Sequence, residues 1–375
     1  MKSKIEAIEV IPLRIPFSDR LSAKNSGAAK SSVDVAIVRL RSSDGVIGIG
    51  ETQAWRRQGS AEYLPNLVRV IRDLFAPKIV GRSPFDIAAI MHDLGQALYG
   101  SFYPQAAVSD ALHDLAARLQ GISVCELLGG RCRDRIRVGL AILVSGEFGK
   151  IRPVAEDAFE RGYRHMRLKI GGGIAEDMAN FAGMREVFGD RVALRGDANG
   201  TLRFDEALPL LARLEQFGLE MVEQPVGLGD IEGMAALARA TSIPISADES
   251  LSSEASLVDI IQRRAASMVQ TKIGKNGGLY YCNRLWTIAH AAGLAPLAGN
   301  HPTTSVAATA MAHLAASVPW TPAVGEFSNG PTDVLADDIV TEPMRLEDGT
   351  VRVPEGPGLG VDLDEDKLRH YAADL

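Results

Sequence analysis

Met268-Val269-Gln270-Thr271-Lys272-Ile273-Gly274-Lys275-Asn276-Gly277-Gly278 is the stretch on which the fold turns. Residues 268–272 read as a short apolar strand that ends in a lysine. A Gly-Gly pair then marks a turn, and helical spacing begins near Leu279. A lysine at the mouth of a strand stands over a pocket rather than inside a core. Upstream, Asp197, Glu223 and Asp248 end similar strands. The steps 197 to 223, 223 to 248 and 248 to 272 are 26, 25 and 24 residues. Each step fits one strand, one helix and two short loops.

Working outward, candidate strands fall at 136–142, 165–170, 192–197, 221–223, 243–247, 268–272, 295–299 and 323–327. Helical patterns alternate with them, for example at 205–217, 254–264 and 279–292. Such alternation predicts a parallel sheet, and eight strands without a doubly wound break predict a closed β/α barrel. No motif repeats at this period, so the repeat is architectural and not a solenoid. Before Gly129-Gly130-Arg131 the character differs. Strands are expected at 4–13, 33–40 and 46–50, the last two joined by a Ser42-Ser43-Asp44-Gly45 hairpin turn. Helices follow at 62–75 and 105–120, with Gly121 as C-cap. The first part, residues 1–130, is an α+β module. The barrel occupies 131–341, and the loop-rich tail 342–375 is expected to pack back on the first module.

Bulk properties exclude several classes. A chain of 375 residues suggests two domains. The net charge of -7 leaves no basic footprint for nucleic acid. No apolar run is long enough for a bilayer, and the alternating, acid-containing start reads as a strand and not as a signal peptide. Cys125, Cys132 and Cys282 form no metal-type CxxC pair and fit reduced thiols in a cytoplasm.

In a β/α barrel, reactive groups project from strand C-termini. Those termini offer Lys169, Asp197, Glu223, Asp248, Lys272 and Glu326. A lone acid at a strand end is more often a helix cap or a solvated loop residue. Six such ends on one face are hard to explain as caps. Three carboxylates converging on one mouth repel one another without a cation, and Mg²⁺, which favours carboxylate oxygen and leaves positions for substrate, resolves this. Asn199, Gln224 and Glu249-Ser250 read as support for the acids. A chelated carboxylate is a better electron sink, so a lysine tuned by nearby positive charge can remove its α-proton. Arg167, two residues before Lys169 on the same strand face, supplies such charge. Lys272 faces Lys169 from the other side.

These residues resemble the enolase superfamily, in its muconate-lactonizing (muconate cycloisomerase) subgroup. The matching pieces are Arg167-Leu168-Lys169-Ile170-Gly171, Gly196-Asp197-Ala198-Asn199, Glu223-Gln224-Pro225, Ala247-Asp248-Glu249-Ser250 and the run from Lys272 to Gly278. The resemblance covers nearly the whole chain. It implies an α+β capping domain over a (β/α)8-type, modified (β/α)7β TIM barrel. It implies Asp197, Glu223 and Asp248 as Mg²⁺ ligands, with Mn²⁺ as a substitute. It implies Lys169 and Lys272 as acid/base residues, an enolate intermediate, a small-molecule carboxylate substrate and a homo-oligomer. Two features depart from the pattern. Arg167 stands where the subgroup has a lysine, and His301 lies in the seventh-strand loop without the sixth-strand Asp that would make it a base. His301 is therefore expected as a substrate contact or a satisfied structural histidine. Glu326 is expected to support by hydrogen bonding.

The expected reaction is cycloisomerisation, or racemisation or epimerisation of an amino-acid-like carboxylate. A dehydratase that expels a β-hydroxyl, with His301 as acid, is the alternative from another reaction class. A barrel that binds metal and ligand without turnover is the third. Loops at 17–32 and 52–60, with Lys24, Lys30, Arg56 and Arg57, are expected to set the substrate. Gly171-Gly172-Gly173 lacks the Gly-Lys-Ser/Thr of a phosphate loop. His290 and His313 read as structural, and Arg131, Arg133, Arg135 and Arg137 as interface or surface charge.

Overall fold

The computed structural model describes residues 3–18, 32–54, 62–144, 146–320, 324–326 and 334–375. Lys24, Lys30, Arg56 and Arg57, and most of the two loops expected to set the substrate, lie outside the described residues.

Strands β1 (Ile5–Pro16), β2 (Ser32–Ser42) and β3 (Ile47–Gln53) form an antiparallel sheet. The predicted hairpin turn is present: Gly45 has φ 78°, and its amide donates to Ser42 O at 2.9 Å. The helix expected at 62–75 starts at Leu64 and passes through a π-helical turn, Val70–Phe75, before ending at Ile79. Helix Ile87–Ala97 follows. Helix Phe102–Gln120 is the hub of this module, with every residue from Tyr103 to Ala117 buried. It packs against β3 on one side and against barrel helix Gly278–Ala291 on another. That burial extends to Ser109, Asp110, His113 and Asp114, so each of these polar groups needs a partner. Gly121 ends the helix in the left-handed conformation, φ 68°, as its sequence predicts.

The next strands in order are β4 (Arg135–Arg137), β5 (Leu140–Ile142), β6 (His165–Lys169), β7 (Ala193–Asp197), β8 (Met221–Glu223), β9 (Ile245–Ala247), β10 (Met268–Lys272) and β11 (Ala295–Gly299). Strands β5 to β11 form one seven-stranded sheet in chain order, each pair parallel. Helices Phe148–Glu160, Ile174–Phe188, Phe204–Leu214, Ile231–Ala240, Glu254–Arg263, Gly278–Ala291 and Ser305–Ser317 cover it. Gly325 closes the ring. It bridges Val138 in parallel on one side. On the other, a Cβ at this position would lie 1.6 Å from the Ala298 carbonyl oxygen of β11. Only glycine lets the backbone through. This is the expected (β/α)7β barrel; of the strand expected at 323–327, Ala323 and Phe327 lie outside the described residues, and the described residues show a bridge at the eighth position.

One expected strand is corrected. The run 136–142 is two strands, because β4 leaves the barrel to pair with β13 (Thr350–Arg352), itself paired with β12 (Leu346–Glu347). The tail therefore touches both modules: besides β13 on β4, Leu359 N donates to Asp114 Oδ1 of the first module at 2.7 Å, and Ala372 bridges Leu13. The arginines near the joint are structural ties. Arg131 donates to Pro354 O at 2.8 Å, Arg133 to Trp320 O at 2.9 Å and to Ala315 O, and Arg135 pairs with Glu347 at 2.6 Å. His313 accepts the Cys125 amide on Nδ1 at 3.3 Å and donates from Nε2 to Leu359 O at 3.0 Å. His290 stacks on Trp320 with centroids 3.9 Å apart. His313 is structural, as expected, whereas His290 is exposed apart from that ring contact. Among the described residues no helix is long and apolar enough to cross a membrane.

Candidate active site

The sheet order places the key side chains side by side. Lys169 ends β6, Asp197 ends β7, Glu223 ends β8, Asp248 follows β9, and Lys272 ends β10. Register fixes the first three as neighbours: Lys169 pairs with Asp197, and Asp197 with Glu223. Adjacent strands lie about 4.8 Å apart, so three acids share one buried edge of the mouth. Asp197, Glu223 and Asp248 are almost wholly buried.

Four cations answer them. Lys169 Nζ donates to Asp197 Oδ2 at 2.6 Å and also to Asn199 Oδ1. Arg167 Nη1 donates to Glu223 Oε2 at 2.8 Å and to Asp197 Oδ2. Lys272 Nζ donates to Asp248 Oδ2 and stands 3.9 Å from Glu223 Oε1. Lys275 Nζ donates to Asp248 Oδ1 at 2.7 Å. The acids titrate accordingly. Burial opposes ionisation of Asp197, but Lys169 and Arg167 outweigh it and lower its pKa. Burial likewise opposes Asp248, and Lys272 with Lys275 hold it well below the usual carboxylate range. At Glu223 burial wins over Arg167, and its carboxyl is raised well above the ordinary value. Burial, with the Asp248 charge beside it, lifts Glu249 to about 6.

The residues read from the sequence as support have the following partners. Asn199, in the left-handed region at φ 47°, joins Lys169 to Glu249: its Nδ2 donates to Glu249 Oε1 at 3.2 Å. Its amide donates to Asp197 Oδ1 at 2.8 Å. Gln224 Oε1 accepts the amides of Asp248 and Ser250 at 3.0 and 3.1 Å, fixing the third acid's backbone. Glu326 forms an ion pair with Arg167 Nε at 2.5 Å, out of line for a hydrogen bond. His301 meets the capping module. Its Nδ1 is 2.7 Å from Gln53 Nε2, and its ring stacks on Tyr103.

Three residues escaped the sequence reading. Arg195, wholly buried on β7, donates to Glu220 Oε2 at 2.7 Å and stands 3.5 Å from Glu326 Oε1. It lies two residues before Asp197, as Arg167 lies two before Lys169, and that period was the available signal. Lys275 carried the signal of a second lysine three residues after Lys272. Gln53, fully buried at the end of β3, carried none.

The donor set suits a hard divalent cation: three carboxylates, with Glu223 Oε1 buried and without a hydrogen-bond partner. Among the described residues no three acidic, imidazole or thiol groups already surround one point; lysines and Arg167 engage the acids' oxygens instead.

Fold and site together define a metal-dependent isomerase built on a capped β/α barrel. The family described as mandelate racemase / muconate lactonizing enzyme, N-terminal domain, matches residues 9–129, and the enolase C-terminal domain-like family matches 150–367. The chain belongs to the mandelate racemase / muconate lactonizing enzyme family of the enolase superfamily. It is 33% identical over 372 residues to a chloromuconate cycloisomerase of Pseudomonas putida, covering 98% of this chain and 99% of that one. It is 31% identical to muconate cycloisomerase 1-2 of Acinetobacter lwoffii, with 99% and 96% covered. The muconate lactonizing enzyme from Pseudomonas fluorescens, solved with muconolactone, superposes with a TM-score of 0.93 at 29% identity over 100% of both chains. An N-succinyl Arg/Lys racemase from Bacillus cereus superposes with a TM-score of 0.92 at 27% identity, over 99% and 98%. Muconate cycloisomerases of this superfamily depend on a divalent metal. The dehydratase and the non-catalytic barrel are not favoured by these relatives.

Proposed function

We propose that the chain closes the ring of a muconate-type substrate, a conjugated diene with a carboxylate at each end. Residues 131–341 form the catalytic part, and 1–130 with the tail 342–375 form the cap. One observation carries the reading: five consecutive strand ends present Lys169, Asp197, Glu223, Asp248 and Lys272, a row of acids with a lysine on each flank.

Asp197, Glu223 and Asp248 would hold Mg²⁺, or Mn²⁺ in its place, which when bound supplies positive charge to a substrate carboxylate and eases charge build-up on the carbon beside it. The remaining work falls to side chains. One carboxylate oxygen of the substrate forms a C–O bond at the inner carbon of the distal double bond, the carbon β to the other carboxylate. The double-bond electrons move toward the other carboxylate and leave an enolate. Its α-carbon takes a proton from the Lys169 ammonium, and solvent returns a proton to the lysine. Lys169 has this part because its side chain is 26% exposed, against 10% for Lys272. Lys272 is the steadying cation on the opposite flank. Asn199 orients Lys169 and links it to Glu249, Arg167 with Glu326 keeps fixed charge beneath the acids, and His301 contacts the substrate.

A racemase or epimerase is the second reading, favoured by the same two-sided lysines, since proton removal and return on opposite faces need a group on each side. Incubation with Mg²⁺, a muconate and a carboxylate library in D₂O separates the two. Loss of diene absorbance with a lactone product supports cycloisomerisation. Deuterium gained at an α-carbon, with no other mass change, supports racemisation instead. Loss of water would overturn both. A homo-oligomer and a cytoplasmic location are the accompanying proposals, open to sedimentation and fractionation.

A further inference from the structure

The turn that carries Lys272 away from β10 begins a helix with no cap of its own. Gly277 is the N-cap residue of helix Gly278–Ala291, at φ 77°, and has no side chain to receive first-turn amides. The other module supplies the acceptors. Leu279 N donates to Asp110 Oδ1 at 2.8 Å, and Tyr280 N to Ser109 Oγ at 3.0 Å. Both acceptors stand on the buried helix Phe102–Gln120. Residue 278 must be glycine for this approach: a Cβ there would lie 2.6 Å from Ser109 Cβ and 2.8 Å from Ala106 O. Toward the site, Gly278 N donates to Ile273 O at 2.8 Å. Asn276, fully buried, then clasps Lys272 twice. Its Oδ1 accepts the Lys272 amide at 2.9 Å, and its own amide donates to Lys272 O at 3.0 Å.

We infer that Asp110 is a positioning residue for Lys272, acting across the module boundary by fixing the start of the helix behind the lysine. The inference rests on the part given to Lys272 above. A side-chain oxygen suits the task, because the first-turn amides of a helix have no acceptor within the helix itself. Asp110 Oδ2 is buried with no hydrogen-bond partner, a cost that stability alone does not explain. The same module repeats the device one strand on. Glu51, near the end of β3, accepts the amides of Thr304 and Ala307 at 2.9 and 3.0 Å and the Thr304 hydroxyl at 2.6 Å. It thereby fixes the helix behind His301.

The test compares Asp110→Ala and Asp110→Asn with wild type, by amide hydrogen exchange over residues 272–281 and by steady-state kinetics on a muconate with Mg²⁺. In Asp110→Ala the exchange of residues 279 and 280 rises at least about fivefold. Its kcat falls about 10- to 100-fold while KM stays within about threefold. Asp110→Asn keeps an oxygen for Leu279 and recovers most of both. Unchanged exchange and kcat in Asp110→Ala, or an Asn variant as impaired as the Ala variant, overturns the inference. If Asp110→Ala does not fold, Ser109→Ala removes the Tyr280 acceptor alone. It gives a smaller shift of the same sign in both readouts, and no shift overturns the inference. A wild type that leaves the muconate untouched sinks the proposed function instead, and the exchange measurement then decides the anchoring by itself.

Discussion

Arg167 Nη1 stands 2.8 Å from Glu223 Oε2, so the guanidinium two residues before Lys169 is engaged by the protein's own acids rather than held out for a substrate carboxylate. Removing one partner of a buried pair costs about 3–5 kcal/mol. Arg167→Met therefore melts at a lower temperature without metal. With Mg²⁺ held by the three acids as proposed, saturating metal is expected to replace the missing charge, so the metal-induced rise in Tm is expected to be larger in the variant than in wild type. Thermal melts with and without Mg²⁺ check this, and equal rises would show that Arg167 and the metal do not share the acids.

Lys169→Met and Lys272→Met each lower kcat by at least about 100-fold while leaving the circular dichroism spectrum unchanged. Normal turnover of a competent substrate by either variant removes that lysine from the mechanism.

Asp197→Asn and Glu223→Gln weaken Mg²⁺ binding by at least about tenfold in calorimetric titration. Should both variants keep wild-type affinity and activity, the acids do not hold the metal.

Gln53 of the capping sheet and His301 of the barrel lie 2.7 Å apart. A double-mutant cycle with Gln53→Leu and His301→Leu is expected to give a coupling of about 1 kcal/mol in urea unfolding. Additive effects would mean that the contact stabilises nothing.

Burial pushes His113 and His313 down to about 4. These folded values lie below the unfolded value of about 6.5, so the unfolded chain takes up protons first. The histidine contribution is complete above about pH 6.5 and is lost as pH falls toward 4, with a slope of up to about 1.4 kcal/mol per pH unit for each residue. Glu51 runs the other way. Burial raises it to about 7, so its contribution is full below about pH 4.5 and is lost as pH rises through 7. Urea unfolding of His313→Leu between pH 4.5 and 7 is expected to show lower stability at pH 7 and a flatter slope below pH 6.5, by up to one proton. An unchanged slope would mean that His313 is already protonated in the folded state.

The sequence was most readable where chemistry sits on a periodic scaffold. Asp197, Glu223, Asp248 and Lys272 could be aligned by counting, because each β/α unit returns the chain to the same face after a similar number of residues. Local pattern failed where the partner is distant. The run from Arg135 to Ile142 alternates like one strand, and only its pairing with Thr350–Arg352 splits it into β4 and β5. Lys275 reads as a loop lysine until Asp248, from the preceding strand, buries its ammonium. Asp110 reads as a polar interruption of an apolar helix, since the amide it serves is 169 residues away.

The anchoring of Gly278–Ala291 by Ser109 and Asp110, and of Ser305–Ser317 by Glu51, also limits how the molecule can breathe. Lifting the upper module would take the acceptors of Leu279, Tyr280, Thr304 and Ala307 away at once and expose three buried groups. Opening that module therefore carries the cost of three uncovered polar groups, which holds it down over the barrel.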